Sequence, residues 1–381
     1  MVDSKLSSQE KIRYSRHLSL PEVGIEGQKK LKSAKVLVVG AGGLGCPVSL
    51  YLAAAGVGTI GLVDYDIVDE SNLQRQVLFG INQNGQSKLV SAKDRLSDLN
   101  PNSNYILHEV ALSSDNALEI IADYDIVVDG TDNFPTRYLV NDSCVLLNKP
   151  NIYGSIYRFD GQVSVFNHSN GPCYRCLYPS PPPPGLVPSC AEGWVLGVLP
   201  GIIGTLQANE TIKTILGIGD LMVGRFLLFD ALSMEFTELK INKNNKCVVC
   251  GDQPTITEPI DYQQFCGIDS ESNKIDYKEI SVDELSLNIK NDNAPIIIDV
   301  REDFELEISK IEGAIHIPMN DLPDRLDELN LIENYVIMCR TGVRSAQVCE
   351  FLAKQNFKSI YNLVGGINEW VKAIDTDQQI Y

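Results

Sequence analysis

The segment AKVLVVGAGGLGCPVSLYLAAAGVGTIGLVD, Ala34 to Asp64, constrains the fold more than any other part of the chain. An apolar, β-branched run ends at Gly40, Gly42 and Gly45 in the spacing G-x-G-x-x-G; a stretch of small residues follows, and a second apolar run begins near Thr59. Strand, tight turn, helix and strand in that order form a βαβ unit. Bare backbone amides at the helix N-terminus can hold phosphate oxygens. The same spacing also serves as a plain structural turn, so the motif alone leaves nucleotide binding, dinucleotide binding and simple packing open. DYDIVVDGTDN, Asp123 to Asn133, repeats the pattern of an apolar strand ending in acidic and small residues. An open parallel sheet covered by helices, an α/β architecture, is therefore predicted for residues 1 to about 250.

At 381 residues the chain exceeds one ordinary core. From about Asp252 to Ser281 it turns polar and proline-bearing, as linkers do. Short β-branched runs then resume: IIIDV at 296–300, AIHIP at 314–318, VIMC at 336–339 and IYNLV at 360–364, alternating with helix-like pieces such as RSAQVCEFLAKQ. This pattern predicts a second, smaller α/β domain. The divisions are 1–251 for the first domain, 252–275 for the linker and 276–381 for the second.

The formal net charge of -18 argues against a broad nucleic-acid surface, because phosphate binding needs clustered Lys and Arg. The start, MVDSKLSSQEKIRYSRH, is polar, and the longest apolar stretch, Gly193 to Leu206, is broken by glycines and Pro200. Neither an export signal nor a membrane span is read from them. The ten cysteines are accordingly taken as metal-binding or catalytic thiols of a cytoplasmic protein.

Asp64 ends the second strand of the βαβ unit, where a carboxylate grips ribose hydroxyls in NAD and ATP enzymes alike. The polar set that follows separates the two: Ser71, Asn72, Arg75 and Lys88, then Asp132 and Asn133 after another strand. Hydride transfer has no use for such a set. Attack on an α-phosphate does, since cations must offset charge on the phosphates and a carboxylate must hold magnesium.

GAGGLG, DYDIVDESNLQRQ, GQSKL and GTDNFPTRY together resemble the MoeB/ThiF adenylyltransferases, relatives of the ubiquitin-activating enzymes, over about residues 10–251. The resemblance implies a Rossmann-like adenylation domain. It would use ATP and Mg2+ to adenylate the Gly-Gly C-terminus of a ubiquitin-like sulfur carrier. Gly43 and the glycine turn would lie under the phosphates and Asp64 on the ribose. The run Ser71, Asn72, Leu73, Gln74 and Arg75, with Lys88, would contact the nucleotide, and Asp132 beside Asn133 would hold the magnesium. RYSRH resembles a family segment whose arginine enters the partner subunit's site, so Arg16 would act across a homodimer.

Cys173 and Cys176 form one C-x-x-C pair and Cys247 and Cys250 another, giving four soft thiolates suited to tetrahedral Zn2+. Four protein ligands leave no open position, which makes the metal structural. GPCYRC and CVVCG also resemble the zinc ligands of the same family.

Cys339 follows the apolar strand YVIM and opens the loop CRTGVRS ahead of a helix-like segment. A cysteine at a helix N-terminus meets amide N–H groups and arginines that favour thiolate. A buried core cysteine is the plainer reading of the residue alone. CRTGVRS, IIIDVRE and IEGAIHIP resemble the rhodanese sulfurtransferases over about residues 276–378. The resemblance implies that Cys339 carries a persulfide cradled by Arg340, Thr341, Gly342, Val343, Arg344 and Ser345.

The two halves together resemble fused MoeB-rhodanese proteins, in which the product is the carrier's thiocarboxylate and a cysteine desulfurase or thiosulfate supplies the sulfur. Joining an electrophilic acyl adenylate to a nucleophilic persulfide by a flexible linker raises their effective concentration. Cys190, in PSCAEG, matches a family cysteine that links covalently to the carrier or resolves an acyl disulfide; a plain loop thiol fits equally. Trp194 stands where the family pattern leads one to expect a second glycine. An NAD-dependent oxidoreductase and an adenylating enzyme with a docking-only rhodanese domain are the competing readings. The sequence leaves open whether molybdopterin, thiamine, cysteine or thiolated transfer RNA lies downstream.

Overall fold

Strand β1 (Lys35–Val39) is buried from Val36 to Val39, and its unbroken apolar run is what a central parallel strand covered on both faces requires. Around it the computed structural model, which describes residues 5–182, 195–267, 277–291 and 294–381, builds the first of two units, Met1–Ser270 and Glu271–Tyr381. The remaining strands of this unit are β2 (Thr59–Val63), β3 (Asn104–His108), β4 (Ile126–Asp129), β5 (Asn151–Tyr157), β6 (Asp160–Phe166), β7 (Arg225–Asp230) and β8 (Glu235–Lys240). They form one sheet in the order β3-β2-β1-β4-β5-β6-β7-β8. Pairing is parallel from β3 to β5 and antiparallel from β5 to β8.

Glycines set the geometry where β1 turns into the helix Gly45–Ala55. Gly40 has φ +93°, and a Cβ on Gly45 would stand 1.9 Å from the Gly40 carbonyl oxygen, so no larger residue fits that turn. The apolar stretch that the sequence leaves without a role enters the helix Leu199–Leu216 from Leu199 onward, with Pro200 in the first turn and the helix packed on Gly45–Ala55. A Cβ on Gly204 would lie 2.6 Å from the Leu44 carbonyl oxygen. No described helix is long and apolar enough to cross a membrane.

The segment 252–267, assigned to the linker on its polarity, is docked on the first unit instead. Ser114 Oγ donates to the Ile260 carbonyl (2.6 Å), Tyr262 and Cys266 are buried, and the Phe265 ring meets Tyr138 edge-on at 5.1 Å. A few aromatic and apolar residues suffice to hold it, whatever its average polarity.

The second unit is a five-stranded parallel sheet, β11-β10-β12-β13-β9, made of β9 (Lys278–Ile280), β10 (Ile296–Asp299), β11 (Ile315–His316), β12 (Tyr335–Met338) and β13 (Ile360–Leu363). Helices Val282–Lys290, Val343–Lys354 and Gly366–Ala373 accompany it. After β10, the fully buried Arg301 donates from Nη2 to Asp299 Oδ2 (2.6 Å) and to the Ser309 carbonyl (2.8 Å).

Candidate active sites

The chain crosses the sheet in opposite directions on the two sides of β1, and a cleft of about 440 Å³ opens beyond the C-terminal ends of β1, β2 and β4. This is where open α/β sheets bind ligands. Gly40, Gly42, Gly43, Asp64, Arg75, Lys88, Asp132 and Asn133 all line it. Gly45 lies behind the turn, while Ser71, Asn72, Leu73, Gln74 and Arg16 are not among the lining residues. Arg16 is exposed on the short helix Ser15–Leu18.

Asp64 receives the Ala41 N–H on Oδ2 (2.8 Å) and the Asp66 N–H on Oδ1 (2.9 Å), so its carboxylate pins the glycine turn to the end of β2. Each oxygen keeps a further lone pair for a ribose hydroxyl. Arg75 Nη2 donates to Asn72 Oδ1 (2.6 Å), so Asn72 contacts a residue of the cleft lining without belonging to it. Ser71 is tied back to Asp69, and Leu73 packs against the main core. Lys88 opens the helix Lys88–Leu99, and its nearly buried ammonium pairs with Asp66 Oδ2 at 2.8 Å. A triphosphate entering here would compete with Asp66 for that ammonium. Asp66 was not singled out in the sequence, because the strand end marks Asp64 and nothing sets Asp66 apart from Asp69 in the run DYDIVD. Asn133 caps the helix Phe134–Leu146 by accepting the Thr136 N–H (2.9 Å), which leaves Asp132 as the exposed carboxylate at that strand end.

Asp129, at the end of β4, is fully buried. Its Oδ1 accepts from Thr131 N (3.0 Å) and Oγ1 (2.6 Å), while Oδ2 has no partner. Burial pushes this carboxyl above the usual carboxylate range, against the opposing pull of Arg137.

Cys173, Cys176, Cys247 and Cys250 bring their sulfurs within 4.8 Å of one another, with separations of 3.9, 3.6 and 3.4 Å for 173–176, 173–247 and 176–250. Sulfurs bound tetrahedrally to one Zn2+ stand about 3.8 Å apart, so the donor set and its spacing fit such a metal. Gly251 makes the second knuckle possible: its N–H donates to the Cys247 carbonyl (3.0 Å), and a Cβ there would lie 2.5 Å from that oxygen. Arg175, inside the first C-x-x-C, is buried and pairs with buried Asp142, with Tyr262 Oη donating to the same carboxylate (2.9 Å).

Cys339 sits at the end of β12, almost fully buried. Gly342, at φ +97°, turns its N–H onto the Cys339 sulfur (3.1 Å), and Ser345 Oγ lies 3.3 Å from that sulfur while donating to Asn362 Oδ1 (2.6 Å). The helix Val343–Lys354 points its N-terminus at the same place, the polarity that favours an anion. Arg344 forks onto Glu305 (2.6 and 2.8 Å), whereas Thr341 and Val343 are exposed and Arg340 is half-buried. Other described cysteines are packing residues: burial pushes Cys46 up to about 12 and Cys266 up to about 11, and raises Cys144 and Cys349 as well. Cys190 and Trp194 lie outside the described residues.

Residues 14–249 match the ThiF family and residues 281–373 the rhodanese-like domain. The chain belongs to the ThiF family and carries a rhodanese-like domain behind it. It is 47% identical over 386 residues to the "Probable adenylyltransferase/sulfurtransferase MoeZ" of Mycobacterium tuberculosis, covering 99% of this chain and 97% of that protein. With the "Adenylyltransferase and sulfurtransferase MOCS3" of Drosophila yakuba it shares 43% over 398 residues, covering 100% and 87%. Among solved structures, E. coli MccB with ATP superposes with a TM-score of 0.56 at 25% identity, covering 64% of this chain and 75% of that one.

Proposed function

We propose that this enzyme adenylates the C-terminal carboxylate of a ubiquitin-like sulfur carrier of the MoaD/ThiS kind and then replaces the adenylate with sulfur held on Cys339. The observation that supports it most is one cleft in which Gly40, Gly42 and Gly43 line the same space as Arg75, Lys88 and Asp132. A hydride-transfer enzyme has no need of that set. In the first step a carboxylate oxygen attacks the α-phosphorus of ATP and pyrophosphate leaves, with Arg75 and Lys88 facing the charge that gathers on the phosphates. Mg2+, held by Asp132, would offset part of the same charge. In the second, the terminal sulfur of a Cys339 persulfide attacks the acyl carbon and AMP leaves. A thiol, for which Cys190 is the candidate, then attacks the Cys339 sulfur of the acyl disulfide. The thiocarboxylate leaves with the bonding pair and a Cys190–Cys339 disulfide forms, which an external thiol reductant must reduce before the next turnover.

Zn2+ on the four cysteines is read as structural. Arg16, exposed and away from its own cleft, is read as serving the cleft of a partner subunit in a homodimer. A reducing cytoplasm suits both the thiolate cluster and the persulfide. Thiosulfate or a cysteine desulfurase is the sulfur source in this reading. Incubating the protein with candidate carriers, ATP and thiosulfate should convert a carrier to the mass expected for exchange of one oxygen by sulfur. Carriers that gain neither AMP nor sulfur, with NAD bound in preference to ATP, would overturn the proposal.

A further inference from the structure

The loop that carries Cys339 is fastened on its far side by a residue that neither the sequence motifs nor the proposed chemistry uses. The helix Gly366–Ala373 takes the loop's carbonyls: Ile367 N–H donates to the Cys339 oxygen (2.8 Å) and Asn368 N–H to the Arg340 oxygen (3.1 Å). A Cβ on Gly366 would lie 2.4 Å from the Cys339 oxygen, so the approach depends on glycine. Asn368 also donates from Nδ2 to the main-chain oxygen of Tyr381 (2.8 Å). That same oxygen accepts from Arg340 Nε, and the Arg340 guanidinium stands over the Tyr381 ring, 5.1 Å from its centroid.

The other end of Tyr381 reaches the second arginine of the loop. Its hydroxyl donates to Glu305 Oε1 (2.8 Å) and accepts from Arg301 Nη1 (2.7 Å), and Glu305 holds Arg344 in the fork described above. Arg344 lies within electrostatic reach of the Cys339 sulfur. One side chain thus touches Arg340 directly and Arg344 through a single carboxylate.

We infer that Tyr381 is a positioning residue for sulfur transfer: it aims the two loop cations, Arg340 and Arg344, at the anion that approaches Cys339. Long arginine side chains sample many rotamers unless fixed, and a cation that must be ordered on each encounter binds its anion more weakly. The inference rests on the reading of Cys339 as the sulfur carrier. The step it serves balances without other reagents. The Cys339 thiolate attacks the outer sulfur of thiosulfate, sulfite leaves with the bonding pair, and cyanide can remove the sulfur as thiocyanate to restore the thiolate.

The test is steady-state transfer of sulfur from thiosulfate to cyanide by the full chain, with Tyr381→Ala, Tyr381→Phe and parent compared. The alanine variant should raise KM for thiosulfate about tenfold, the size of one lost charge-assisted contact, with kcat much less affected. The phenylalanine variant keeps the ring over Arg340 and loses only the hydroxyl, so its KM should rise by less, about threefold. A merely structural role would lower the melting temperature and the active fraction, hence kcat, and leave KM alone. Parental KM in the alanine variant, or a phenylalanine variant as impaired in KM as alanine, overturns the inference. So does a lowered KM, which would make Tyr381 a plug. A parent chain that takes no sulfur from thiosulfate onto Cys339, by mass, refutes the underlying reading instead.

Discussion

Asp129, buried at the end of β4 just before the cleft-lining Gly130 and Thr131, shows how one residue couples its surroundings to pH. Both of its accepted hydrogen bonds fall on Oδ1, Oδ2 is buried without a partner, and burial holds the carboxyl above its ordinary range. The sign follows from linkage. Below the unfolded value of about 3.9 both states hold the proton. As pH rises past that point the unfolded chain ionises first, unfolding releases a proton, and stability falls until the folded carboxyl ionises as well. The slope in that window is at most about 1.4 kcal/mol per pH unit. Asp129→Asn cannot ionise, so urea unfolding followed upward from about pH 4 should show a shallower loss of stability than in the parent. Parallel curves would mean that the folded carboxyl is already charged there.

At the scale of elements, the first zinc-type knuckle is tied to the helix Phe134–Leu146 by a buried ion pair rather than by the cysteines alone. Arg175 Nε and Nη2 fork onto Asp142 (2.8 Å each for the shorter contacts), and the guanidinium stands over Tyr138 and Phe265, 4.7 and 4.4 Å from their centroids. Replacing one member leaves a buried charge uncompensated, a loss of about 3–5 kcal/mol. Arg175→Leu should therefore shift the denaturant midpoint strongly, and Arg175→Leu combined with Asp142→Leu should recover much of the loss. Strictly additive losses would show that the pair is not coupled.

None of this pairing was legible in the sequence, since C-x-x-C names its ligands and says nothing about the residues between them. Strands β1, β2 and β4 were legible, because each is a short apolar run that stops at a glycine or an aspartate; β3 and β5, which end in neither, were not. The antiparallel half was not. The β5–β6 turn has Arg158 at φ +52° and the β7–β8 turn has Met234 at φ +58°, so neither carries the glycine or asparagine that announces a hairpin. In the cleft, residue types and strand ends pointed to eight of the lining residues, but the run Ser71 to Gln74 lies outside the lining. The partner of Lys88 stayed hidden because three aspartates lie within six residues, and only the fold decides which one it meets.

For the whole molecule, the consequence of carrying both units on one chain is that activation and sulfur delivery should separate cleanly by mutation. In the proposed reading adenylation uses the cleft of the first unit, all of whose lining residues belong to Met1–Ser270. Sulfur carriage in the same reading uses the thiol held by Gly342 and Ser345 in Glu271–Tyr381. Cys339→Ser preserves the size of a nearly buried residue, so the second core should survive. A serine hydroxyl stays protonated near neutral pH and cannot hold sulfane sulfur. Carrier-dependent exchange between ATP and pyrophosphate should therefore continue at close to the parental rate, while the carrier accumulates as its adenylate and thiocarboxylate formation stops. Asp132→Ala should do the reverse, abolishing exchange yet leaving Cys339 able to take sulfur from thiosulfate. Persistence of thiocarboxylate at the parental rate in the Cys339→Ser chain would make the donor itself the nucleophile that attacks the adenylate, and the rhodanese-like unit would then be a docking module.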